Sequence, residues 1–279
     1  MQLQLFKTLW GHQGSIHEAI KQTLAAGMHG IEAAAPDNPV QQQAMLELLE
    51  SSGLSYIAEI TTAGSYVPDR RASLQQHLDS LERKLSYSAP FRPLFANCLG
   101  GCDAWPEQKS LEFFDRAIAL AKQYHIEISF ETHRSRSFFN PWVTQRISQQ
   151  IPELLITADF SHWCVVCERL MDTELDVIHS IADKIKHIHA RVGYDQGPQV
   201  PDPRAAEYEY ALRAHQHWWQ IIWQSQINRQ FTHSTMTPEF GPDGYLHEQP
   251  YTREPVADLW ELNCWMAAEE KRHFELFRL

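Results

Sequence analysis

Short apolar segments alternate with longer amphipathic segments along most of the chain. Eight of the apolar segments are rich in Ile, Leu, Val, Thr, Phe or Tyr, and their length is typical of buried strands. In chain order they are QLQLFKTLW, HGIEAAA, LSYIAEIT, RPLFANCLGG, IEISFETH, LLITADFSH, IKHIHARV and STMTPEF. Eight strand–helix patterns with mostly short connections favour an α/β fold, a (β/α)8 TIM barrel, over two smaller domains. Since no linker or low-complexity tract divides the chain, we predict a single domain over residues 1–279.

Residues that begin and end helices support the helical part of this pattern. Ser15 and Glu18 match a capping box, in which the two side chains satisfy free amides at the start of a helix. Asn38 followed by Pro39 suits the N-cap and first position of a second helix, which Gly53 would end. These boundaries fall between the predicted strands, as a barrel requires.

Four of the later strands end in a residue that can bind a metal ion or move a proton. These residues are Glu131, Asp159, His189 and Glu239. A single acid at a strand end is commonly a helix cap, but four on successive strands are hard to explain as caps. The carboxyl ends of the strands are where a β/α barrel carries its active site. A ligand set with three carboxylates and one imidazole suits Mn²⁺, Mg²⁺, Co²⁺ or Zn²⁺.

Composition restricts the cellular compartment and the classes of binding partner that we expect. The formal charge of −11 and the lack of a basic run argue against a nucleic-acid partner. No apolar run is long enough to span a membrane, and the N-terminus does not resemble a secretory signal. Five cysteines, including the pair Cys164 and Cys167, form no disulfide or zinc framework, so we expect small buried thiols in a cytoplasmic protein. Motifs for nucleotide binding or serine hydrolysis are missing.

The strand-end residues resemble the motifs of the xylose isomerase-like TIM-barrel superfamily. This superfamily includes sugar isomerases, ketose 3-epimerases, inosose dehydratase-type enzymes and apurinic endonucleases. The resemblance rests on FETH, on the DxxH of DFSH, on HIHAR and on TPEFGP, and is clearest from strand five to strand eight. It implies that Glu131, Asp159, His189 and Glu239 hold one divalent metal ion and that the two glutamates exchange protons with substrate. It further implies that His162 and Arg191 contact substrate oxygens.

Several neighbours of these motifs are further candidates for substrate contacts. His133 shares a face with Glu131 and would reach substrate or stabilise a loop. Arg134 and Arg136 could join Arg191 in binding a carboxylate or phosphate, or they could be ordinary surface residues.

Aromatic residues and one further histidine complete the candidates. Three tryptophans near strand ends could stack on a sugar ring: Trp10, Trp105 and Trp163. Three tryptophans at helical spacing are predicted to pack in the outer shell: Trp218, Trp219 and Trp223. His187 is expected to be a hydrogen-bonded core histidine.

The function predicted from these residues is metal-dependent isomerisation or epimerisation of a sugar, sugar acid or sugar phosphate. A dehydratase acting on a cyclic polyol would share every ligand and stays open. A nuclease of the same superfamily is disfavoured by the charge and by the lack of histidines after strands two and three. A non-catalytic sugar-binding barrel is disfavoured by the complete ligand set. The resemblance also makes a homo-oligomer an expectation, and long loops after strands seven and eight are expected to shape the substrate pocket.

Overall fold

Eight parallel strands form one closed barrel, with each strand paired to its neighbour in chain order and β1 paired to β8. The computed structural model describes residues 1–242 and 244–278, so the predicted domain also contains two residues, 243 and 279, that lie outside the described part. The strands are β1 (Gln2–Thr8), β2 (Gly30–Ala33), β3 (Ser55–Thr61), β4 (Ala96–Leu99), β5 (Ile128–Glu131), β6 (Ile156–Ala158), β7 (Ile185–Ala190) and β8 (His233–Pro238). The predicted (β/α)8 barrel is confirmed.

Helices surround the barrel and connect successive strands. They are α1 (Ile16–Ala25), α2 (Pro39–Ser52), α3 (Leu74–Ser88), α4 (Glu107–Gln123), α5 (Pro141–Gln150), α6 (Ser161–Cys167), α7 (Leu175–Ile181), α8 (Glu209–Asn228) and α9 (Leu259–Phe277). The capping box of Ser15 and Glu18 begins α1, and Asn38 caps α2. Gly53 ends α2 in the left-handed conformation, with φ of 68°. Between β6 and β7 the chain forms two short helices with turns of 3-10 helix beside them.

The barrel interior changes from apolar to polar along the strand direction. Phe6, Ile57 and Phe95 form a buried apolar cluster inside it. The imidazole of His187 packs against this cluster, with its ring centroid 5.3 Å from that of Phe95. Beyond His187 the interior side chains are mostly polar and include Glu32. The apolar part closes one end of the barrel, and the polar part leaves charged groups at the other.

The large core lies between the strands and the helices. Trp218, Trp219 and Trp223 are fully buried in α8, which confirms their predicted packing role. His187 is also a buried, hydrogen-bonded core residue, as predicted, with its Nδ1 2.8 Å from the hydroxyl of Thr235.

Two long connections, after β7 and after β8, are fastened to each other and to the barrel. The side-chain amide of Gln199 donates to the carbonyl of Gly241 at 3.3 Å and accepts from its N–H at 2.9 Å. Asn263 of α9 makes a similar pair of bonds, of 2.8 and 2.9 Å, with the backbone of Phe240. A Cβ on Gly241 would lie 1.9 Å from the ring of Trp10, so only glycine fits there. The residues that follow Glu239 are therefore held closely in place.

No helix within residues 1–242 and 244–278 is long and apolar enough to cross a membrane.

Candidate active site

The four predicted ligands converge at the carboxyl end of the barrel. Glu131 ends β5, Asp159 follows β6, His189 lies in β7 and Glu239 follows β8. One potential ligand atom from each lies within 4.8 Å of the others, and all four residues are buried. The Nδ1 atom of His189 is 2.8 Å from a carboxylate oxygen of Glu239 and 3.7 Å from one of Glu131. Parallel strand order brings together residues that are up to 108 positions apart in the sequence.

His189 directs one ring nitrogen at these carboxylates and the other at a different acid. Its Nε2 atom is 3.0 Å from Oε1 of Glu32 in β2. Its Nδ1 atom is buried and makes no hydrogen bond of acceptable geometry. A buried nitrogen that faces three carboxylates without a hydrogen bond fits a metal ligand, and the oxygen-rich donor set fits a hard or borderline divalent cation.

The pKa shifts in the cluster also indicate a site that suits a cation. Burial, together with the charges of Glu239 and Asp159, raises the pKa of Glu131 well above its usual value, although His189 opposes this. Burial alone would lower the pKa of His189, but the charges of Glu239, Glu32 and Glu131 outweigh it and raise that pKa well above the usual range. Without a cation, Glu131 and His189 therefore favour their protonated forms. A bound divalent ion would supply the positive charge in place of these protons.

Asp159 is held by residues of its own loop and by Arg191. Its Oδ1 atom accepts from the N–H of Ser161 at 3.1 Å and from the hydroxyl at 2.5 Å. Its Oδ2 atom accepts from Nη2 of Arg191, which also lies 2.8 Å from Nε2 of His162. The same Nη2 is 3.5 Å from Glu239. The Nη1 atom of Arg191 is buried without a hydrogen bond, so this guanidinium keeps donors for a ligand.

His133 and His162 lie together beside the ligand cluster, with ring centroids 3.9 Å apart. Burial and the nearby charge of Arg191 lower the pKa of His133 well below its usual value. Burial and the proximity of His133 do the same for the pKa of His162. Both rings are therefore neutral near pH 7. Nδ1 of His133 donates to the carbonyl of Arg134, which leaves its Nε2 as an acceptor.

A cavity opens above the cluster and contains both predicted and unpredicted residues. Its lining consists of Trp10, Glu59, Tyr66, Leu99, Glu131, His133, Arg191, Glu239 and Tyr245. Trp10, Tyr66 and Tyr245 form an aromatic rim, with ring centroids 5.0 to 6.4 Å apart. Arg134 lies over Tyr245 at 4.9 Å, at the edge of this rim. Flat rings beside polar groups suit a carbohydrate.

Three of the predicted substrate contacts are contradicted. Trp163 has no exposed surface, stacks on Phe160 and donates its indole N–H to the carbonyl of Phe138. It therefore packs behind the site and does not reach the cavity. Trp105 packs against the ring of His77, with centroids 4.6 Å apart, and is not part of the cavity lining.

Arg136 is the third contradicted candidate, because its guanidinium donates its hydrogen bonds to backbone carbonyls. It donates to the carbonyls of Thr62 at 2.7 Å, Tyr66 at 3.0 Å and Gly101 at 3.3 Å, and also to that of Ser65. Arg136 thus holds the loop that carries Tyr66 and does not bind an anion.

Sequence reasoning missed three polar residues of the barrel interior. Glu32 and Asn97 form hydrogen bonds with the ligand cluster, and Glu59 lines the cavity. Burial and the charges of Glu239 and Glu32 raise the pKa of Glu59 to about 8. The signal for Glu32 and Glu59 was a lone acid inside an otherwise apolar strand. An acid in such a position costs free energy unless it is paired or functional.

Comparison with known proteins places the fold. The sequence matches no protein-family model and no curated protein. Among solved structures, an L-ribulose 3-epimerase is 13% identical, with a TM-score of 0.68 over 100% of this chain and 96% of the other. A xylose isomerase-like TIM-barrel protein from Mycobacterium smegmatis in complex with magnesium is 11% identical, with a TM-score of 0.67 over 98% and 97%. A protein of Bacillus anthracis assigned as the 3-DHS dehydratase of petrobactin synthesis is 14% identical, with a TM-score of 0.59 over 95% and 98%.

The chain therefore has the fold of the xylose isomerase-like TIM barrels, as the motifs indicated. Its solved neighbours include sugar epimerases and a dehydratase. At sequence identities this low, the similarity concerns the fold alone. The roles of individual residues are therefore argued from the geometry of this chain.

Proposed function

We propose that this protein is a divalent-metal-dependent isomerase or epimerase of a sugar or sugar derivative. The observation that carries the proposal is the convergence of Glu131, Asp159, His189 and Glu239, with Nδ1 of His189 facing the carboxylates. A bound divalent ion would polarise a substrate carbonyl and acidify the neighbouring C–H bond. The M. smegmatis neighbour with magnesium and the epimerase neighbours support this assignment.

The two glutamates of the cluster would move the protons. One carboxylate removes a proton from the carbon beside the carbonyl, and the other returns a proton to the opposite face, which inverts that carbon. Return to the adjacent carbon would isomerise the sugar instead.

The remaining cavity residues would bind and orient the substrate. Nη1 of Arg191 and Nε2 of His133 are available to substrate oxygens, and the aromatic rim would cover one face of the carbon skeleton. His162 accepts from Arg191 and would fix the direction of that guanidinium.

Metal content of the purified protein is the first test. We expect about one Mn, Co, Zn or Mg per chain in the wild type and loss of the metal in Glu239→Gln and His189→Ala. The loaded protein is then incubated with ketoses, aldoses and sugar acids in D₂O, and exchange of a carbon-bound proton is followed by NMR. A folded wild type that takes up no metal under any loading condition would rule the proposal out.

A dehydratase is the second candidate, favoured by the B. anthracis neighbour and by the carboxyl of Glu59 in the cavity. A carboxyl that keeps its proton could protonate a departing hydroxyl. The same incubations distinguish the two activities, because dehydration removes one water from the substrate, whereas epimerisation and isomerisation keep every oxygen atom and change the mass only by the deuterium taken up from D₂O. Proton exchange without loss of water would exclude this candidate.

A further inference from the structure

Glu32 is a buried carboxylate with a complete set of donors around it. Its Oε1 atom lies 3.0 Å from Nε2 of His189 and 3.1 Å from the side-chain amide of Asn97. Its Oε2 atom lies 3.2 Å from Nε2 of His187 and accepts from the hydroxyl of Thr237 at 2.6 Å. Only 1% of Glu32 is exposed, so these four contacts replace its hydration.

The contact with Glu32 fixes which nitrogen of His189 carries the proton. A carboxylate accepts hydrogen bonds, so Nε2 of His189 must be the donor. A neutral imidazole then has its lone pair on Nδ1, and Nδ1 is the atom that faces Glu131 and Glu239. A metal-binding histidine generally donates its other N–H to such an outer partner, which orients the ring and increases its basicity.

We propose that Glu32 is a positioning residue that holds His189 as an Nδ1 ligand and thereby sets the affinity for the divalent ion. The inference rests on the proposed function for the existence of the metal site, and it adds a residue from β2 that does not belong to the four ligands. Asn97 extends the arrangement, because its amide also lies 2.9 Å from Glu131. Glu32 thus connects two of the ligands through one buried network.

A separate metal site at Glu32, His187 and His189 is the competing interpretation, since their ligand atoms also lie within 4.8 Å of one another. The hydrogen bonds argue against it. Thr237 donates to Glu32, and Nδ1 of His187 is already paired with Thr235. The donors and acceptors of this group satisfy one another without an ion, in contrast to Nδ1 of His189.

The first measurement is made on the wild type, and a variant is used only to assign the signals. Protein labelled with ¹⁵N is loaded with Zn²⁺, and the ring nitrogens of His189 are observed by NMR, with His189→Ala for assignment. We expect a protonated Nε2 and a metal-bound Nδ1. A metal-bound Nε2 would overturn the inference even if every variant fails to fold.

The second measurement is the dissociation constant for Zn²⁺, obtained by competition with a chromophoric chelator. We expect Glu32→Gln to bind Zn²⁺ about 10–100-fold more weakly with the same stoichiometry, because it lacks the charge that orients His189. Glu32→Asp should recover part of the affinity. The matched control is Thr237→Val, which removes a donor from the same carboxylate but leaves the contact with His189. We expect it to lower the melting temperature and to change the affinity less than threefold.

The outcomes separate this inference from the proposed function. A wild type that binds no Zn²⁺ contradicts both. Folded Glu32→Gln with unchanged affinity contradicts only the role of Glu32, and two Zn²⁺ per wild-type chain would establish the separate site instead.

Discussion

Arg191 lies between two carboxylates and two aromatic rings. Its guanidinium carbon is 4.8 Å from the ring centroid of Tyr245 and 5.5 Å from that of Trp10. The planar guanidinium can donate to Asp159 and stack on these rings at the same time, whereas an ammonium group cannot match this geometry. The shape of the group is therefore as important here as its charge.

We expect Arg191→Lys to keep about one metal ion per chain but to lower kcat/KM by about 10–100-fold. The reason is the loss of a charged hydrogen bond to substrate, which contributes about 1.5–3 kcal/mol. The measurement is turnover of the substrate found by proton exchange. Arg272→Lys is the control, since Arg272 pairs with Glu269 on the exposed surface of α9. Equal activity in both variants would remove Arg191 from substrate binding.

In the proposed mechanism, Glu131 and Glu239 move protons in addition to holding the metal ion, which Asp159 and His189 do not. Glu131→Gln cannot exchange a proton, so we expect turnover to fall by about 10²–10⁴-fold even when the metal ion is supplied in excess. Quenched-flow or NMR assays with metal-loaded protein would measure it. Turnover within threefold of the wild type would assign the proton transfer to other groups.

The elements around the site hold its residues in place through side chains that are far away in the sequence. Asn263 in α9 fixes the backbone of Phe240, the residue after Glu239. We expect Asn263→Ala to cost about 2–4 kcal/mol of stability, since it leaves two buried backbone groups unpaired. It should also weaken metal binding, because Glu239 loses its fixed position.

Urea unfolding and chelator competition would separate these two effects for Asn263→Ala. Ser15→Ala serves as the comparison, because it removes the cap of α1 and should cost about 1 kcal/mol without changing metal affinity. Unchanged affinity in both variants would show that α9 does not position Glu239.

Glu270 makes the packing of α8 on α9 sensitive to pH. It is fully buried, and burial raises its pKa to about 8 although the amide of Gln216 donates to it at 2.8 Å. Because the folded pKa lies above the unfolded value near 4.5, the folded state holds a proton that the unfolded chain releases. The stability contributed by this proton is fully present below pH 4.5 and is lost as the pH rises toward 8.

We therefore expect Glu270→Gln to be more stable than the wild type by roughly 2–4 kcal/mol at pH 8, with little difference near pH 4.5. Urea titrations at the two pH values test this directly. Glu275→Gln, at an exposed position of the same helix, should show no such pH-dependent gain. A gain of equal size at both pH values would mean that the packing around Glu270, and not its ionisation, lowers the stability of the wild type.

The fold and the convergence of the four strand-end residues could be predicted because both follow from strand order. Parallel strands place their carboxyl ends together, so an acid or histidine at four successive ends must meet there, as Glu131 and His189 do. Glu32 and Glu59 were missed because each is a single acid within an apolar strand, and only the register of the closed barrel shows what it faces. Trp163 was misplaced because a position near a strand end does not fix the direction of the side chain.

For the whole molecule, the proposed metal ion would act as a stabilising ligand. At a free concentration one hundred times its dissociation constant, a ligand of the native state adds about 2.7 kcal/mol to the free energy of unfolding. We expect Mn²⁺ or Zn²⁺ to raise the melting temperature of the chelator-treated wild type, and EDTA to reverse the shift. Glu239→Gln should show no shift, and a rise of equal size in that variant would indicate binding elsewhere.

The network from Glu32 to Glu239 also bears on how the protein is made. Glu32 lies near the start of the chain, and its partner Thr237 is 205 residues further on. The barrel closes only when β8 pairs with β1, so a ribosome-bound chain that lacks its last strand has neither Glu239 nor a closed interior. During synthesis the proposed metal site is therefore assembled last, because a nascent fragment without β8 lacks one of its four residues.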